Sequence, residues 1–184
     1  MKAVFLGGSR NISRLNADVQ SRLDNIIEKN LHVLIGDANG ADKAMQRYFE
    51  AKAYRNVEVF CVGGSCRNNL GEWSVRTVHS DSRGRDFAFY SAKDRIMTRE
   101  ADVGFMVWDG KSAGTLLNVF RLLHSEKKAV VYVSHERRFF ELKHADDWKD
   151  FVARCDPNVR RKVEQKAALE SNEDHKLVQT RLAI

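Results

Sequence analysis

The chain is poor in the residues that break or staple a fold. Proline occurs once among 184 residues, which argues against a linker-rich string of domains. No apolar run approaches the ~20 residues that a bilayer-crossing helix needs. The opening MKAVFLGGSR lacks the layout of a signal peptide, so a cytoplasmic protein is expected. Cysteine is scarce and odd in number: Cys61, Cys66 and Cys155. The C-x4-C pair has no second Cys or His pair to complete a zinc site, and no HExxH occurs among the six histidines. Reduced thiols are therefore expected, with Cys61 a small apolar strand residue. No metal and no resident cofactor are expected. Two phosphate-binding signatures are also missing. G-x4-G-K-[ST] does not occur, which disfavours a P-loop ATPase, and no G-x-G-x-x-G follows the first strand-like run, which weakens an ordinary dinucleotide dehydrogenase.

What is present suits a folded chain. Hydrophobic residues make up 43% and charged residues 30%, near the globular average. A chain of this length buries roughly 70% of its unfolded surface, enough for one core without staples. The net charge of +6 is concentrated in part between residues 65 and 99, where Arg67, Arg76, Arg83, Arg85, Lys93, Arg95 and Arg99 fall. Such a stretch suits anionic ligands, whether phosphates or a nucleic-acid backbone, and equally a solvated basic face.

Residues 1–134 alternate short apolar runs with helical patterns. Ala3–Leu6, His32–Ile35, Val57–Val62, Val103–Trp108 and Ala129–Val133 read as five buried strands. Between them, Asn16 is placed to cap a helix over 17–29, and helices are expected over 40–52, 86–100 and from the 109–115 loop to about Glu126. Continuous apolar strands separated by helices predict a doubly wound α/β domain with a mainly parallel five-stranded, Rossmann-like sheet. Residues 64–85 form an insertion, with a small strand at Trp73–Val78. Residues 135–184 are polar and helical in pattern, and read as a C-terminal helical extension.

In such sheets ligands bind beyond the carboxyl ends of the strands. Three polar, glycine-bearing loops arrive there. Gly7, Gly8, Ser9 and Arg10 allow close backbone approach and offer donors to a phosphate, or form a plain strand-to-helix turn. Gly36, Asp37, Gly40 and Asp42 precede a helix; the aspartates are placed either to grip ribose hydroxyls or to cap the helix. Asp109, Gly110, Lys111, Ser112, Gly114 and Thr115 put glycines, a lysine and two hydroxyls ahead of another helix, a pattern that suits phosphate. In the insertion, Arg67, Asn68, Asn69 and Trp73 are candidates to close over a base, the ring stacking and the amides reading an edge; the alternative is a Trp that anchors the loop to the core. Lys93 shares a helix face with Met97, and Arg95 and Arg99 occupy another.

These three loops together resemble the SLOG superfamily, Rossmann-like domains related to the LOG (lysine-decarboxylase-like) and DprA-fold proteins. The resemblance is nearest to the YspA-like branch, through the segments 66–73 (CRNNLGEW) and 90–97 (YSAKDRIM), and covers roughly residues 1–134. It implies a nucleotide or nucleotide-derived ligand at the three loops, with N-glycosidic or phosphate hydrolysis in some relatives, and a homodimer. Glycoside cleavage passes through an oxocarbenium-like state and wants a carboxylate near the ribose. The LOG enzymes carry a glutamate three residues after the Thr of a Gly-Thr pair; counted from Thr115, that position is Asn118, an amide that can serve neither as base nor as nucleophile. Asp37, Asp109 and Glu72 are the remaining carboxylate candidates. Two alternatives stay open: a nucleic-acid binder similar to DprA, and a non-catalytic oligomeric interaction module.

Overall fold

The computed structural model describes residues 2–80, 84 and 87–182, with side chains described up to residue 170. Arg83 and Arg85 of the basic stretch lie outside the described residues. The elements in chain order are β1 (Ala3–Gly8), α1 (Ala17–Glu28), β2 (His32–Gly36), α2 (Ala41–Ala51), β3 (Val57–Val62), β4 (Ser74–Val78) and α3 (Phe87–Glu100). They continue with β5 (Val103–Trp108), α4 (Ala113–His124), β6 (Lys128–Val133), β7 (Arg138–Leu142), α5 (Ala145–Ala153) and α6 (Pro157–Leu182).

The class is the doubly wound α/β expected, but the sheet has seven strands rather than five, in the order β4-β3-β2-β1-β5-β6-β7. All pairings are parallel except β6 with β7, which is antiparallel. Both added strands are edges. The insertion is thus not merely a loop: its small strand pairs with β3 from Glu58↔Ser74 to Val62↔Val78. The region read as wholly helical begins with a strand, and only α5 and α6 are helices there. Nor is it an appendage. Leu142, Phe151, Cys155, Val159 and Val163 belong to the same buried cluster as Phe5, Met106 and Val131.

Strand alternation divides the core. Val4, Leu6, Val33, Ile35, Val57 and Val59 face α1 and α2, packing on Val19, Leu23, Met45 and Phe49. Phe5, Leu34, Phe60 and Met106 face the other way, onto Met97 of α3 and Leu116, Val119 and Leu122 of α4. Near-continuous apolar strands are what a sheet covered on both faces requires. The helix starts are fixed locally. Asn16 accepts the Val19 N–H at 3.1 Å, and Ser112 accepts that of Thr115 at 3.3 Å, each side chain replacing one of the orphan donors of a first helical turn.

The cysteine expectation needs correction. Cys61, at the end of β3, and Cys66 are joined in a disulfide with Cα atoms 5.2 Å apart, inside the span such bonds occupy. The chain turns back through Gly63, whose φ is +80°, a reversal that the C-x4-C spacing did not reveal. Cys155 is free and buried, and burial pushes its thiol up to about 11.

Candidate functional site

Chain order reverses across the sheet between β1 and β5, because β2, β3 and β4 add on one side and β6 and β7 on the other. At the carboxyl ends of these strands lies a half-open cavity of about 110 Å³. Gly7, Gly8 and Arg10 line it after β1, Ala38 and Asp42 after β2, and Ser112, Gly114 and Thr115 after β5. The fourth wall is α3, which supplies Phe87, Tyr90, Ser91, Lys93, Asp94 and Met97. Arg67 reaches in from the loop between β3 and β4, and Asn118 from α4.

Lys93 is the electrostatic centre of this wall. It is 4% exposed, and its Nζ lies 3.1 Å from Asp94 Oδ1 and 4.0 Å from Asp37 Oδ1. Burial alone would push its proton off, but Asp94, Asp42 and Asp37 outweigh that and hold the ammonium above its ordinary range. Asp42 is the carboxyl that yields: burial pushes it up to about 6, with Lys93 opposing. It accepts a hydrogen bond from the Ala38 N–H, at 3.3 Å. Gly36 is what makes the pair fit, since a Cβ there would fall on Lys93 Nζ and lie 2.5 Å from Asp42 Oδ2. Gly40 is equally fixed. Its φ is +88° and a Cβ would collide with the backbone of Arg10, a conformation open in practice to glycine.

Asp37 has a different fate from the one assigned to it. Its carboxylate is buried and accepts three bonds from Arg67: from the backbone N–H at 3.0 Å, from Nε at 3.1 Å and from Nη2 at 2.7 Å. Burial would raise this carboxyl; the Arg67 bonds prevail and hold it low. It is a structural counter-ion for Arg67, and neither caps α2 nor stands free for a ribose. The guanidinium so held lies over the Tyr90 ring, 4.6 Å from its centroid, and Arg10 approaches the same ring at 5.6 Å. Among the described residues Arg10 has no carboxylate partner.

Asp109 is also committed. Oδ1 accepts the Lys111 and Ser112 N–H groups, each at 2.9 Å, and the Ser9 hydroxyl at 2.9 Å; Oδ2 accepts from Asn11 at 3.1 Å. Burial opposes these bonds, which prevail and keep the carboxyl low. This is an Asx turn that shapes the loop, not a free base. Ser9 is fully buried beneath it, 3.4 Å from the Thr115 hydroxyl.

Several sequence candidates lie elsewhere. Trp73 is 6% exposed in the α1/α2 core and donates its indole N–H to Tyr54 O at 2.8 Å, so the ring anchors the loop and cannot stack on a base. Asn69 closes that loop on the Trp73 backbone at 2.9 and 3.1 Å. Glu72 is exposed beside them, on a separate concavity with Arg55 and Glu50. Lys111 is exposed and outside the cavity lining; Gly110 packs against His135, where a Cβ would come within 2.8 Å.

No family model, curated protein or solved structure matches the chain. The site therefore stands on its geometry.

Tyr90, Asp94 and Phe87 are the pocket residues that sequence reasoning missed as ligand contacts. The signal was the helical spacing of Phe87, Tyr90, Asp94 and Met97, which puts them on the same side of α3 as Lys93. Asn118 also lines the cavity, as a link. It donates to Asp94 Oδ2 at 3.1 Å and accepts from Arg121 Nη1 at 2.6 Å. Arg121 in turn holds both carboxylate oxygens of Glu170 of α6 along one guanidinium edge, through Nη2 and, at 2.9 Å, through Nε. Among the described residues no group of three His, Cys, Asp or Glu side chains forms a metal cluster, and no helix is long and apolar enough to cross a membrane.

Proposed function

We propose that the chain is a SLOG-type domain whose cavity between the ends of β1, β2 and β5 binds a nucleotide or nucleotide-derived anion. One observation carries this reading: the cavity sits at the strand-order reversal, where open α/β sheets take their ligands, and Arg10, Arg67 and Lys93 all line it. Arg67 and Lys93 are neutralised by their own carboxylates. Arg10 is the cation left for a ligand, beside the Ser112-capped start of α4, whose first-turn amides favour an anion.

The enclosed space of about 110 Å³ is below the roughly 300–1,000 Å³ of sites that engulf a drug-sized ligand. It suits a phosphate or sugar-phosphate portion, with the rest of the ligand at the open mouth beside Phe87, which is 40% exposed. Phe87, which carries the Lys166 ammonium over one face of its ring, is the aromatic side chain at this mouth in place of Trp73. The reading is one of binding. Asn118 offers an amide where LOG enzymes carry glutamate, Asp37 is bound by three Arg67 donors and Asp109 by four donors of its own loops.

A thermal-shift panel tests the proposal, with AMP, ADP, ADP-ribose, NAD, cyclic nucleotides, other nucleoside monophosphates, inorganic phosphate and single-stranded DNA. A ligand at 100 times its dissociation constant adds roughly 2.7 kcal/mol, or about 5–10 °C here. The expected result is a selective nucleotide shift that Arg10→Ala removes while leaving the unliganded midpoint in place. No shift with any phosphate-bearing compound overturns the reading. Stabilisation by DNA alone, falling steeply with salt, replaces it with the nucleic-acid alternative.

A further inference from the structure

We propose that the Cys61–Cys66 disulfide is a redox latch that holds the Arg67 arm over the pocket. The arm is the loop between β3 and β4. Cys61 is wholly buried in the sheet, whereas Cys66 is half-buried and immediately precedes Arg67. The backbone N–H of Arg67 and its guanidinium close on Asp37. Next in line, Asn68 donates to Asp37 O at 2.8 Å and to Asn39 Oδ1 at 3.0 Å.

The stretch between the two sulfurs has little else to fix it. Gly64 and Ser65 are exposed, and a Cβ at Gly64 would meet nothing within 4 Å. On this side the covalent bond to β3 defines where the arm begins. It spans a sequence separation of only five, so it constrains a local loop far more than it staples the fold. Its consequence is therefore local: the position of Arg67, and with it the cation that covers Tyr90.

The chemistry balances with a dithiol as reductant. A reductant thiolate attacks the sulfur of Cys66, the less buried of the two cysteines, and the S–S bond breaks. Cys61 leaves as a thiolate and takes up a proton, giving a mixed disulfide on Cys66. The second reductant thiol then displaces Cys66, which also leaves as a thiol, and the reductant departs as a cyclic disulfide. A peroxide restores the bond: it oxidises one thiol to a sulfenic acid and is itself reduced to water, and the other thiol then attacks that sulfur and expels its hydroxyl as a second water. The buried Cys155, whose thiol is pushed up to about 11, stays out of both steps.

The latch is independent of what the pocket binds; its effect on affinity rests on the anion reading proposed above. The chain-entropy relation sets a ceiling of about 40-fold on the constraint from so short a loop, and the surviving Arg67–Asp37 bonds reduce the expected effect to about tenfold. Three measurements on the whole protein test it. Thiol titration in denaturant should count one thiol after peroxide and three after dithiothreitol. Hydrogen exchange at the Arg67 and Asn68 amides should quicken about tenfold on reduction, with the β1 and β5 amides unchanged. AMP and inorganic phosphate should bind about tenfold more weakly to the reduced form, and Cys66→Ser with Cys155→Ser should reproduce that state under oxidising conditions. Three free thiols after peroxide, or exchange at Arg67 that ignores redox state, overturns the latch. Redox-dependent exchange with no anion bound in either state leaves the latch standing and overturns the anion reading instead.

Discussion

Replacing Asp42 by asparagine should stabilise the protein, and by an amount that depends on pH. The carboxyl is displaced from an ordinary 3.8 to about 6 because it is buried beside a second and third carboxylate, with Lys93 compensating only in part. At about 1.4 kcal/mol for each tenfold change in proton affinity, ionised Asp42 costs the fold about 3 kcal/mol at pH 8. Between pH 4 and 6 the native state keeps a proton that the unfolded chain has released. Stability therefore falls as pH rises through that window, and levels off above it. Asparagine copies the neutral acid, and its amide oxygen can keep the bond from the Ala38 N–H. Lys93 retains Asp94 at 3.1 Å, so its charge is not stranded. The variant should gain about 3 kcal/mol at pH 8, shrinking towards zero near pH 4. At roughly 2–4 °C per kcal/mol for a chain of this size, the midpoint should rise by about 6–12 °C. Thermal or urea unfolding of both proteins at four pH values measures this. A variant less stable than wild type at pH 8, with the deficit growing as pH rises, would refute the reasoning, since it would mean that Lys93 more than offsets the burial of an ionised Asp42.

Three further outcomes separate structural from ligand-facing roles. Trp73→Ala should cost about 3–5 kcal/mol through the cavity it leaves yet preserve any nucleotide-induced shift; loss of that shift in a folded variant would return Trp73 to the pocket. Gly36→Ala should lower the midpoint by several degrees, because the added methyl falls on Lys93 Nζ and Asp42 Oδ2, and an unchanged midpoint would show that the pair can move aside. Arg67→Ala should cost about 2 kcal/mol, below the roughly 3–5 kcal/mol of a fully buried pair because its side chain is 35% exposed. Asp37→Asn in the same chain should restore most of that loss, and urea midpoints of the four proteins would reveal any failure of coupling.

The parts of this molecule that were legible in sequence are those decided by near neighbours. Five strands are continuous apolar runs, and Asn16 caps its helix through an amide three residues away. Asp109 is decided just as locally, yet its sequence reads as a free carboxylate candidate. An Asp-Gly-Lys-Ser run can close on its own N–H groups, and that local demand saturates the carboxylate. The edge strand β4 is legible as a small strand but not as a member of the sheet, and β7 escaped altogether, because about half their residues are polar, Ser74, Arg76 and Thr77 in one and Arg138 and Glu141 in the other, and an edge has only one partner to reward pairing. Asp37 and Asp94 are separated by a different logic. Neither has a short-range partner that settles its role: Asp37 is claimed by Arg67 from another loop, and Asp94 is shared between Lys93 and Asn118 of α4. Nothing within a few residues distinguishes a carboxylate spent on folding from one left facing a ligand. That distinction arises only where the sheet order reverses and brings three loops and α3 together. For this reason the three loops located the cavity, whereas its charged wall had to come from a helix whose sequence reads as an ordinary mixture of apolar and charged residues.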